Sequence, residues 1–154
     1  MRVRYISYPT DGLSAILVLV IANFLIYFTT IIAPQLIYTL GLQPAAFFAR
    51  PWTILTSVFV HAGLWHIFAN MLTLYFFGSY FSRLVGRTSF LIVYFAGGIL
   101  GNILFLVLAP PFSVAVGASG AVFALAGGLV VLSLIHISEP TRPLYISYAV
   151  FCLK

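Results

Sequence analysis

Charge is what this chain has least of. Seven Lys/Arg and two Asp/Glu make up 6% of its 154 residues, while 63% are apolar; a soluble domain carries about 25% charged residues. Nine charged side chains cannot cover a water-facing surface, so a soluble globular enzyme is excluded. A disordered chain is excluded too, since disorder needs low hydrophobicity and high charge. Cysteine is as scarce: Cys152 stands alone, which rules out an internal disulfide and any cysteine-based metal cluster. Asp11 and Glu139 are the only carboxylates, and neither falls in a bundle core, which removes two-carboxylate chemistry. The net charge of +5 comes from scattered residues, not a clustered basic face, so no nucleic-acid partner is expected.

What is present is apolar sequence in long runs, with a mean hydropathy of +1.17. The expected class is an all-α, polytopic membrane bundle in the lipid bilayer. Residues 1–12 form a polar head. The first apolar run, 13–33, exceeds the 7–15 residues of a signal-peptide core and ends at Pro34 without a small-residue cleavage site, so it reads as a retained span. Residues 34–60 hold three prolines with Phe47, Phe48 and Trp52, which suits a loop lying partly among headgroups. Further spans are expected over 64–80, 89–108 and 119–137, giving about four. Arg2, Arg4, Arg83 and Arg87 fall on one side of this arrangement and Arg50 on the other. By the positive-inside rule the N-terminus is then cytoplasmic, and the 34–60 and 109–118 loops share the outer side.

Two polar groups sit at that outer end. His66 and Asn70 are four apart and therefore on one helix face. They suit either a functional pair or a satisfied interhelical hydrogen bond. A metal site on His61 and His66 is a third reading, thin without a carboxylate or thiolate. The second group is Gly117, Ala118, Ser119 and Gly120. A serine between glycines at a helix N-terminus has amides and a dipole suited to an oxyanion. Yet Gly120, Ala124 and Gly128 also form a small-residue stripe that only packs helices. Gly97 and Gly101 offer a similar face on the third span.

Taken together, these residues resemble the rhomboid intramembrane serine proteases. The resemblance runs through Trp52, Thr56, Phe59, Val60 and His61, then His66 and Asn70, Phe77 and Gly78, Gly86, Tyr94, Gly98, and the Gly117–Gly120 motif. It implies a six-helix fold of which this chain supplies about four helices. Ser119 would be the nucleophile. His66, Asn70 and backbone amides would form the oxyanion hole, with His61, Gly117 and Gly120 in support. Neither metal nor organic cofactor is implied, and the substrates would be single-span membrane proteins. Ser82 replaces a commonly acidic residue, and Phe123 stands where an aromatic hydroxyl is often found. The general-base histidine of the sixth span has no counterpart here. A catalytically inactive rhomboid-like binder and a generic membrane scaffold are the competing readings.

The C-terminal stretch looks foreign. Residues 132–142 resemble an in-frame translation of a transposon-type sequencing adapter, 143–145 its variable index, and 146–154 its flow-cell end. The expected division is a head over 1–12, a partial rhomboid-type membrane domain over 13–131 and a non-native tail over 132–154. His136, Glu139 and Cys152 then carry no evolved role. His136 could not serve Ser119 in any case: 17 residues along one helix is about 25 Å at 1.5 Å per residue, and a proton acceptor must lie within about 3 Å.

Overall fold

A computed structural model describes residues 11–138, with side-chain surroundings over 13–134. The 1–10 head and 139–154 lie outside the described residues, as do Glu139, Cys152 and the side chain of His136. Helix α1 spans Asp11–Ile32. It is apolar all round, but only one face is buried, through Ala15, Ile16, Leu19 and Asn23. Val18, Ile21 and Leu25 point outward at 57–64% exposure, as expected of a helix whose other solvent is lipid.

The prolines of 34–60 break that stretch into short pieces: α2 (Leu36–Leu40), a 3-10 turn at Pro44–Ala46, α3 (Thr53–Thr56) and a second 3-10 turn at Ser57–Phe59. The Thr53–Phe59 segment meets the next helix at a 92° bend. That helix runs unbroken from Leu64 to Val85, as α4 (Leu64–Thr73), a π-helical turn (Leu74–Gly78) and α5 (Ser79–Val85). It extends five residues past the expected end at Tyr80, because the break comes at Gly86, whose φ of +87° suits glycine. Helix α6 is Arg87–Leu108 and α7 is Ser119–Ser138. Helix α1 from Leu13 and α6 are each long and apolar enough to cross a membrane, and the bent pair makes a third candidate.

Helices α6 and α7 form the tightest pairing. A Cβ placed on Gly97 would lie 2.2 Å from the Ala124 Cβ and 3.2 Å from the Gly120 carbonyl oxygen, and one on Gly101 would lie 3.4 Å from the Gly120 Cα. The small residues of both helices thus bring two backbones into contact, which is how membrane helices associate without a hydrophobic driving force. Around this seam Ile67, Leu74, Phe90, Tyr94, Ala121 and Leu125 are fully buried.

The two loops at one end of the bundle are tied together. Leu42 and Ala115 exchange both backbone hydrogen bonds, at 3.0 and 2.8 Å, and the Ala45 amide donates to the Pro111 carbonyl at 2.9 Å. Within the first loop, Thr56 Oγ1 donates to the Leu40 carbonyl at 2.7 Å, and the Arg50 guanidinium to that of Tyr38. These bonds fix the height of the 109–118 loop, and with it the start of α7.

Candidate functional site

Helix α4 begins directly after the extended Gly63, and its first turns carry His66 and Asn70 on one face. Asn70 is buried, and its Nδ2 donates to the His66 carbonyl at 2.8 Å. The half-buried His66 ring stands edge-on to that of His61, with centroids 5.1 Å apart. Its other neighbour is Gly117. A Cβ at that position would fall 2.7 Å from both Cε1 and Nε2 of His66. Gly117 also has φ +117°, a conformation that costs other residues free energy, and its amide donates to the Ser57 carbonyl at 2.9 Å. Glycine is thus required there twice over.

Ser119 opens α7 two residues later, with its side chain exposed. His66, Asn70, Thr73, Phe77, Ser119 and Phe123 line one cavity of about 300 Å³ between α4 and α7. A smaller cavity of about 150 Å³ on the α6 side of the turn is lined by Asn102, Gly117 and Ser119, among others. Of the residues singled out from sequence, His66, Asn70 and Ser119 therefore meet at one cavity. His61 backs His66, Gly117 holds the turn, and Gly120 packs against α6. No group of three His, Cys, Asp or Glu that could hold a metal occurs among the described residues.

His61 lies in the loop before α4, outside the spans, and is 1% exposed. Its Nδ1 donates to the Phe59 carbonyl at 3.3 Å, leaving Nε2 buried without a partner. Burial pushes this imidazole down to about 4, the neighbouring His66 adds to the shift, and the Phe59 bond works against it. A neutral folded histidine that ionises near 6.5 once unfolded favours the folded state fully above about pH 6.5 and progressively less as pH falls toward about 4. The unfolding midpoint in detergent is therefore expected to be flat above about pH 6.5 and to fall below it. The slope should be shallower in His61→Gln; an unchanged slope would assign the acid sensitivity elsewhere.

Sequence spacing missed Asn102. This half-buried amide in α6 donates from Nδ2 to the Ile54 carbonyl at 2.7 Å and to Ser57 Oγ at 2.8 Å. The signal was available, since a lone amide in an apolar span must find partners, but its partners lie 48 and 45 residues away.

With the geometry in place, comparison with known proteins decides the family. The model of the Rhomboid domain matches residues 49–153. This chain belongs to the rhomboid family. It is similar to the rhomboid protein YdcA of Bacillus subtilis (strain 168), 41% identical over 76 residues, which are 49% of this chain and 38% of YdcA. Rhomboid protease GluP of the same organism is 39% identical over 83 residues, 54% of this chain and 16% of GluP. Inactive RHOMBOID-like protein 8 of Arabidopsis thaliana is 37% identical over 78 residues, 51% of this chain and 22% of that protein. The chain thus spans well under half the length of these rhomboid relatives, which include a protease and an inactive member.

Proposed function

We propose that this chain carries the nucleophile-bearing part of an intramembrane serine endopeptidase that cleaves single-span membrane proteins near the membrane surface. The observation that carries the reading is the shared cavity of His66, Asn70 and Ser119. Ser119 Oγ would attack the scissile carbonyl carbon, and the oxyanion would accept hydrogen bonds from Asn70 Nδ2, the His66 ring and amides at the N-terminus of α7. The serine proton passes to a histidine base supplied outside this chain. The peptide nitrogen leaves with that proton, and water then hydrolyses the acyl-enzyme. A serine-directed fluorophosphonate probe tests the assignment. It should label a chimera completed with the C-terminal part of a rhomboid protease, and not its Ser119→Ala variant. A silent chimera would favour the inactive, binding reading that the resemblance to RHOMBOID-like protein 8 raises.

The arginine distribution supports an N-terminus in the cytoplasm, and the membrane proposed is a prokaryotic cell membrane. A reporter fused at the Gly86 turn should then report cytoplasm and one fused near Pro111 the outside; the reverse pattern overturns this orientation. Residues 132–154 are proposed to be adapter-derived from their likeness to translated adapter sequence, although the Rhomboid-domain match runs on to residue 153. Sequencing the parent locus should show divergence at or within a residue or two of Leu132, and native codons matching all 23 of these residues would return His136, Glu139 and Cys152 to consideration.

A further inference from the structure

We infer that Asn102 is a positioning residue that sets the turn carrying Ser119, a role that rests on the serine reading above. Burying a primary amide in an apolar helix costs free energy unless its hydrogen bonds are made. Asn102 makes two from Nδ2, and both go to one short stretch of the first loop: the Ile54 carbonyl at 2.7 Å and Ser57 Oγ at 2.8 Å. Ser57 is 1% exposed. Its hydroxyl is engaged by Asn102 while its carbonyl takes the Gly117 amide at 2.9 Å. A continuous relay of bonds therefore runs from α6 through Ser57 to Gly117, and Gly117 lies against the His66 ring. Asn102 also lines the small cavity that reaches Ser119 from the side opposite His66. No element of secondary structure holds residues 110–114. The height of the turn against His66 thus depends on the Gly117–Ser57 bond together with the loop ties at Leu42–Ala115, Ala45–Pro111 and Gln43–Phe112.

A merely space-filling Asn102 would be replaced without consequence by leucine, which has similar size, forms helix well and suits an apolar span. A positioning Asn102 would not. The test is amide exchange in the 154-residue chain, labelled with ¹⁵N-glycine and held in detergent micelles, with the ring signal of His66 followed alongside. Asn102→Leu is expected to speed exchange at Gly117 by at least about tenfold and to shift the His66 ring signal, while the α6 amide of Gly98 keeps its protection. Each released hydrogen bond is worth about 1 kcal/mol, and 1.4 kcal/mol is tenfold. Asn102→Gln, which retains the donor, should recover part of the protection. Unchanged Gly117 exchange in Asn102→Leu overturns the proposal. If that variant loses protection at every glycine, Ser57→Ala decides: selective exposure of Gly117 supports the relay, and unchanged exchange refutes it. Ser119→Ala should leave Gly117 protection intact, so failure of the relay and failure of the protease reading appear in different experiments.

Discussion

Fluorophosphonate labelling of the 154-residue chain itself is expected to fall about 10²- to 10⁴-fold below that of the completed chimera, the usual worth of a positioned general base. A serine hydroxyl is a weak nucleophile until an adjacent base takes its proton. The chain contains three histidines. His61 is fully buried, with its Nδ1 committed to the Phe59 carbonyl. His66 is pressed against Gly117 and lines the Ser119 cavity, where the proposed mechanism uses it as a hydrogen-bond donor and not as a base. His136 lies about 25 Å along the same helix. An oxyanion hole without a base retains only binding and charge stabilisation. Strong labelling of the short chain, lost in Ser119→Ala and in His66→Ala, would make His66 the base and overturn the division of roles.

Gly97→Leu is expected to abolish the folded bundle, and Gly97→Ala to cost about 1–3 kcal/mol, the usual penalty for overpacking. A single methyl at position 97 already falls 2.2 Å from the Ala124 Cβ and 3.2 Å from the Gly120 carbonyl. Neither obstacle can rotate away, as a long side chain would, so α6 and α7 must separate. Their separation would also move Ser119, the first residue of α7. Gly127→Ala is the matched control: it lies in the same helix pair, yet a Cβ there meets nothing within 4 Å. Resistance to denaturation in mixed micelles should therefore drop for Gly97→Ala and hold for Gly127→Ala. Equal behaviour of the two would show that the seam tolerates a wider spacing.

Much of this could be read before any coordinates, because the bilayer imposes a simple rule on sequence. A span must be apolar for about 20 residues, so the helices containing Ile16 and Phe90 announce themselves by composition. The pairing of His66 with Asn70 was legible because both sit on one helix at a spacing of four. Their meeting with Ser119 could be read only through shared depth and the family resemblance, since nothing local relates Asn70 to a residue 49 positions on. Asn102 and Ser57 stayed hidden for the same reason. Each looks like an isolated polar residue until the fold brings it to a partner 45 residues distant. The mixed 34–60 stretch was expected to be a loop near the headgroups. Its short helices went unseen because five or fewer residues leave no periodicity to detect.

The paired bonds between Leu42 and Ala115, with Ala45 to Pro111 beside them, have a consequence for how the loop leading into Ser119 can move. Two loops stitched at several points cannot fray residue by residue: releasing one bond leaves the others holding the same backbone in place. They should instead open together, as a single cooperative unit with one opening free energy.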